Sequence, residues 1–310
     1  MVSPLRDQTQ PIRSSPTLQR RKVSEALLAY LFLLPTLFGL LFFSLGPVIA
    51  GFLISFTNWN IFLPPQWVGL DNYQTLLTQD LPRKVFSNTL YYTLVNVPLN
   101  MTVALGMALL LNLRLRGVSF YRAVYFLPVV SSTVAASLIW TWLYSPNFGP
   151  INYFLGEIGI KGPPWLASTT WAMPAVIIMS VWKGFGTNML IFLAGLQGIP
   201  QELIEASMID GANRWQRFWR ITWPLLTPTT FFVLVISCIA SFQVFEQVFV
   251  MTEGGPAYAT SVMGLFIYLN AFRYNNMGYA AAAAYILFAL ILAITLAQLK
   301  LQRRWTHYEL

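Results

Sequence analysis

The chain has 310 residues, of which 56% are hydrophobic and 10% charged, against about 25% charged in an ordinary soluble domain. A soluble fold cannot hide this much apolar surface, so composition points to a polytopic membrane protein. The net charge of +8 does not indicate nucleic acid, because the Lys and Arg residues are spread over loops at one set of span ends, as on an inner-leaflet surface.

Residues 1–25 are rich in Pro, Ser, Gln and Arg and read as a flexible basic tail. Arg20, Arg21 and Lys22 precede an apolar run over 26–56. A signal peptide has an apolar region of only about 7–15 residues, so an uncleaved first span is expected. Six stretches can each cross a hydrocarbon core of roughly 30 Å, which takes about 20 helical residues. They lie near 26–50, 88–112, 121–144, 172–196, 225–249 and 279–299. Backbone groups in lipid must bond within their own segment, so the spans are helices; the alternating stretches of a porin-like barrel are absent. The expected fold is an all-α polytopic membrane protein with six transmembrane helices, occupying 26–300 and followed by a tail at 301–310.

The basic residues set the orientation. Arg6, Arg13, Arg20, Arg21, Lys22, Arg114, Arg116, Arg122, Arg214, Arg217, Arg220, Lys300, Arg303 and Arg304 gather on one side, and Arg83, Lys84, Lys161 and Arg273 on the other. The positive-inside rule places the first set and both termini in the cytoplasm. Trp59, Trp67, Trp140, Trp142, Trp165 and Trp171 fall at outer span ends, and Trp215, Trp219, Trp223 and Trp305 at inner ones, as amphipathic indoles prefer. Val68 to Tyr73 lead into a short amphipathic stretch on the outer surface. The loops 145–171 and 250–278, rich in Pro, Gly and Asn, face outward as candidates to meet an external partner.

Catalytic patterns are missing. There is no phosphate-binding loop, since Trp182-Lys183-Gly184 does not match one, and no paired His or nucleophile elbow. Cys238 stands alone in an apolar run and His307 alone in a polar tail, which leaves neither a disulfide nor a metal set. The chain is not expected to be an enzyme or to carry a cofactor.

Two charges fall inside apolar stretches. Such groups usually face a cavity or a partner. Counted along continuous helices, Lys183 lies about 18 Å from the inner face and Glu246 about 33 Å, so separate roles are expected. Lys183 is too deep to snorkel and belongs in a polar cavity; Glu246 reads as an interfacial carboxylate. Asn96, Asn100, Ser131, Ser132, Asn188 and Gln243 add uncharged polar groups, and Phe242, Phe245 and Phe249 add aromatic faces. Sugar hydroxyls need such donors and acceptors; interhelical hydrogen bonding uses the same residues. The candidate solute pathway is Asn100, Lys183, Asn188, Gln243, Phe245 and Glu246.

The polar interval 200–224 lies on the basic side. Pro200 suits a helix N1 position, Glu202 and Glu205 the first turns, and Asp210-Gly211 a sharp turn. Ala206 and Ser207 are small enough for another surface to approach. A second short helix is expected over 213–220, with Trp215, Phe218 and Trp219 between its arginines.

This interval resembles the EAA loop of binding-protein-dependent ABC importer permeases, which have the MetI-like fold. Glu205, Ala206, Ser207, Asp210, Gly211, Ala212, Ile221 and Pro224 match the motif, with Ser207 standing where Ala is usual. Leu193 to Pro200 and Val250 to Pro256 resemble the sugar-uptake branch, and the likeness extends over roughly 26–300. The resemblance implies that Glu205 to Asp210 form a coupling helix, that Glu205 pairs with a basic residue of an ATPase, and that Gly211 sets the angle to the next helix. It implies as partners a second homologous permease, two cytoplasmic ATPase subunits that bind ATP and Mg, an external solute-binding protein and membrane lipid. The place would be a bacterial cytoplasmic (inner) membrane and the solute a mono- or oligosaccharide or glycosylated osmolyte. Glycerol phosphate esters are the alternative within the branch. A stand-alone secondary transporter or a membrane scaffold are alternatives outside it.

Overall fold

The computed structural model describes residues 16–113 and 116–305. Arg6, Arg13, Arg114 and His307 lie outside the described residues. By contact the chain divides into two units, Met1–Leu53 and Ile54–Leu310.

The first unit holds α1 (Pro16–Gly39), a π-helical segment (Leu40–Leu45) and the start of α2 (Gly46–Ile54). Helix α1 begins inside the stretch expected to be a flexible tail. The π turn has a local cause. Pro47 has no N–H, and its ring would crowd the carbonyl four residues back. The ladder widens one step earlier, with the Gly46 N–H donating to Leu41 O. The segment Leu28–Ile54 is long and apolar enough to cross a membrane. Phe32 is 81% exposed and Phe43 79%, so the chain offers these side chains to an apolar surrounding.

In the second unit, a loop closed by the bridge between Thr57 and Trp67 leads to α3 (Asp71–Thr78). Next come α4 (Asp80–Leu111), α5 (Val118–Val130), α6 (Thr133–Leu143), α7 (Pro150–Glu157) and α8 (Ala172–Gln197). The elbow is α9 (Gln201–Ile209) and α10 (Arg214–Arg217). The remainder is α11 (Trp223–Phe242), α12 (Glu246–Thr252), α13 (Met263–Tyr268) and α14 (Met277–Trp305). The last helix runs into the stretch expected to be a tail.

Helix α8 is apolar nearly all round, as a helix at the centre of a bundle must be. Ala175, Val176, Met179 and Met189 are fully enclosed. It packs on α4, α5 and α11. Gly186 makes the approach to α5 possible, because a Cβ there would lie 2.8 Å from Tyr125 O and 2.9 Å from a Val129 methyl. One apolar cluster joins Ala104, Phe192, Leu196 and Leu226; a second joins Ala136, Val176, Val248 and Leu265.

Three expectations need correction. The stretch 121–144 is not one helix but two, α5 and α6, bent by 95°. Ser131 and Ser132 are both extended, and Ser132 Oγ accepts from the Ala135 N–H as the N-cap of α6. The run Pro128, Ser131, Ser132, Thr133 carried that signal, since Ser at an N-cap starts a new helix. With that pair taken as one span, five long helices become six by length and composition.

The fifth span ends at Phe242, not near 249. Gln243 to Phe245 leave helical geometry, and α12 starts with Glu246 in its first turn, where an acid suits the helix dipole. Gly264 of α13 abuts the break, with no room for a Cβ beside Val244 O.

The short helix expected over 213–220 is not separate either. From Arg214 the chain runs through a π segment, Phe218–Thr222, into α11 as one long helical stretch. The cause repeats that at Pro47: Pro224 cannot donate, and the Trp223 N–H reaches back to Phe218 O.

Candidate functional site

At the elbow, Pro200 (φ −56°, ψ 129°) is the extended residue before α9 and not its first helical residue. Along α9, Gln201 Nε2 donates to Glu205 Oε1 at 2.7 Å. The helix ends in a Schellman motif. The Ala212 N–H donates to Ser207 O at 2.9 Å and the Gly211 N–H to Met208 O at 3.1 Å, with Gly211 at φ +78°. This explains the motif's spacing: three residues separate the third position, Ser207, from Gly211 because a Schellman closure fixes that interval. Ser207 is buried against its own chain, and its hydroxyl donates to Ile204 O at 2.7 Å. Ala206 and Glu205 remain exposed.

Beyond the turn, Asn213 and Gln216 form a capping box, each side chain accepting the other's backbone N–H at 2.9 Å. Trp215, Phe218, Trp219 and Trp223 then make a run of ring contacts, the shortest 5.1 Å between Phe218 and Trp219. The tip of the elbow is apolar, with Ile209 88% exposed beside Met208 and Leu203. A cleft of about 800 Å³ lies behind it, lined by Glu205, Met208, Arg214, Arg217 and the ends of α4 and α8.

The second feature is a cavity of about 380 Å³ among α4, α6, α8, α11 and α12, with many polar side chains on its walls. Its walls are stripes at helical spacing: Tyr92, Asn96 and Asn100 on α4, Ser180, Gly184 and Asn188 on α8, Ser237 and Ser241 on α11. Asn188 Nδ2 donates to Asn100 Oδ1 at 2.7 Å and to Ser237 Oγ at 2.9 Å. Asn96 Nδ2 donates to Ser241 Oγ at 3.2 Å. Gln247 Nε2 reaches Tyr92 Oη and Ser180 Oγ, each at 3.2 Å. Asn96 Oδ1 is buried on this wall with no hydrogen-bond partner among the described residues. Lys183 is the charged member of the lining, and its ammonium donates to the carbonyls of Pro128 at 2.9 Å, Val129 at 3.1 Å and Ser131 at 2.8 Å.

The structure therefore brings Asn100, Lys183 and Asn188 together and leaves Gln243, Phe245 and Glu246 outside the lining. Gln243 is exposed at the break after α11. Phe245 stacks on Phe249 at 5.5 Å and contacts Tyr268 at 4.9 Å, and Phe242 is buried in a core cluster with Met263 and Leu287. The helix breaks at 243–245, so a count along a straight span does not apply to Glu246, which is exposed in the first turn of α12. Tyr92, Ser180, Ser237, Ser241 and Gln247 were not singled out from the sequence. The four-residue spacing of Tyr92, Asn96 and Asn100, and of Ser237 and Ser241, was the available signal.

Residues 100–307 match the family described as binding-protein-dependent transport system inner membrane component. The chain is 39% identical to the probable ABC transporter permease protein YesP of Bacillus subtilis, over 91% of this chain and 93% of that one. It is 36% identical to the trehalose/maltose transport system permease protein MalF of Thermococcus litoralis, over 91% of this chain and 96% of that one. Among solved structures it is similar to a chain of the bacterial alginate ABC transporter in complex with alginate pentasaccharide-bound periplasmic protein. That match has a TM-score of 0.79 and 25% identity, and covers 94% of this chain and 99% of the other.

Proposed function

We propose a solute, an orientation and a working assembly for this chain, which belongs to the family of binding-protein-dependent transport system inner membrane components. It is a multi-pass membrane permease of an ATP-driven ABC importer. The solute is a sugar or sugar-like molecule, uncharged and rich in hydroxyls, carried into the cytoplasm. The observation that carries this reading is the cavity. Its walls offer amides, hydroxyls and a phenol at helical spacing, and Asn96 Oδ1 is a buried acceptor that a solute hydroxyl would satisfy. The trehalose/maltose relative supports the same class.

The chain works with a second homologous permease, two cytoplasmic ATPase subunits that bind the ATP and Mg, and an external solute-binding protein. The alginate transporter bound to its periplasmic protein supports the last of these. Both termini and the elbow lie in the cytoplasm of a bacterial inner membrane. The elbow is the coupling element: Ile209, Met208 and Leu203 enter a groove of the ATPase, and Glu205 pairs with a basic residue there. The Schellman closure makes α9 and its turn a stiff unit, and α10 continues without interruption into α11. A displacement of the elbow is therefore passed to a helix that lines the cavity. Nucleotide and solute each favour one global state, which is the condition for coupling.

The test is reconstitution of the chain with these partners in vesicles. Uptake of a neutral oligosaccharide should require ATP and the binding protein and persist with an uncoupler. Uptake that survives ATP depletion and collapses with the uncoupler would establish a secondary transporter instead.

A further inference from the structure

The bend between α5 and α6 sits beside the cavity, since Thr133, the first residue of α6, lines it together with Lys183. A break inside a span exposes carbonyls that no intrahelical N–H can reach, and in a membrane such groups must find partners in protein or at a cavity wall. Pro128 and Val129 belong to the last turn of α5, and Ser131 is the extended residue that ends it. All three carbonyls accept from the one ammonium of Lys183, on a different helix, at 2.8 to 3.1 Å. An ammonium has three N–H groups, so none is left over. The negative end of the α5 dipole favours a cation at the same place. Close packing at Gly186, one turn along α8, holds α5 against the helix that carries Lys183.

We infer that Lys183 is a positioning residue that staples the broken span to α8, and that its commitment to three carbonyls leaves the cavity without a free cation among the described residues, fitting it to uncharged solutes. The staple stands on hydrogen-bond geometry alone; the solute class rests on the transport reading above. Lys183 acts through α6: with the bend held, α6 keeps one direction relative to α8 and Thr133 stays on the cavity wall. Without it, the Val129 and Ser131 carbonyls lose the ammonium, the Pro128 carbonyl keeps only the Ser131 hydroxyl at 2.6 Å and N–H at 3.3 Å, and the bend samples other angles.

The experiment uses the full chain with Cys238→Ser, carrying spin labels at Leu127→Cys and Leu138→Cys, which lie 70% and 57% exposed on either side of the bend. Lys183→Met and Lys183→Arg are compared with the unsubstituted residue. Lys183→Met should broaden the label-to-label distance distribution, whereas Lys183→Arg, which keeps donors, should restore a narrow one. In the reconstituted importer Lys183→Met should lower the maximal uptake rate of a neutral oligosaccharide by about tenfold, the scale of one lost charge-assisted hydrogen bond, while KM changes by less than about twofold, as expected when uniform binding is untouched.

A narrow distribution in Lys183→Met would overturn the staple. A large rise in KM with an unchanged distribution would make Lys183 a solute ligand and overturn the inference. So would preferred uptake of an anionic glycerol phosphate ester that Lys183→Met abolishes. Absence of uptake by the unsubstituted assembly, with the distance result as expected, would strike the transport reading and leave the staple standing.

Discussion

Gly211 shows how much one backbone angle decides at the elbow. A Cβ there would meet nothing within 4 Å, so space is no obstacle; the obstacle is its φ of +78°, which costs an L-residue roughly 1–2 kcal/mol. Gly211→Ala should insert normally and lower ATP-coupled uptake by about fivefold, the population change that 1 kcal/mol corresponds to. Glu205→Lys should abolish uptake with insertion intact, because it reverses the charge offered to the ATPase. Membrane fractionation and vesicle uptake read the two effects separately, and normal uptake by both variants would contradict the coupling role. Both residues were legible in the sequence. The burial of Ser207 was not, because its partner, the Ile204 carbonyl, is visible only once the helix is built. Gln247 was equally hidden, because its two partners come from Tyr92 and Ser180 on other helices.

Two prolines set the local form of their helices. Pro47 and Pro224 each lie just beyond a π-helical segment, and the donor before each proline reaches back five residues. A π turn inserts an extra residue and so rotates the helix on its N-terminal side relative to the helix on its C-terminal side, by roughly 100° per residue of an α-helix. For Pro224 this sets the azimuth of Arg214, Arg217 and the aromatic run relative to the cavity face of α11. Pro224→Ala supplies the missing N–H and lets an α-helical ladder form. The expected outcome is a complex that assembles and hydrolyses ATP but transports at a reduced rate per ATP, measured as solute moved against phosphate released. An unchanged ratio would show that the azimuth is immaterial. Periodicity located these helices but not their breaks. Both the Ser131-Ser132 bend and the Gln243–Phe245 gap sit inside apolar runs, where hydropathy is the same for a straight helix and for two short ones.

For the molecule as a whole, direction across the membrane is the statement most open to measurement. Leu70 precedes α3 and is 67% exposed, and Ile209 at the elbow tip is 88% exposed. In a Cys238→Ser background, Leu70→Cys should react with a membrane-impermeant maleimide in spheroplasts. Ile209→Cys should react only after lysis. The opposite pattern would invert the assignment made from the basic residues and place the elbow beyond the reach of any cytoplasmic ATPase.

The sequence by itself determined the membrane class and the position of the elbow. Each of these depends on properties summed over many neighbouring residues: apolar length, the bias of Lys and Arg, and a motif whose spacing is a local hydrogen-bonded closure. Tertiary structure alone decided what Lys183 binds and which polar residues share a wall. Those outcomes depend on where two helices break and on which faces then meet, and a buried donor takes whatever acceptor packing brings within about 3 Å, however distant in the chain.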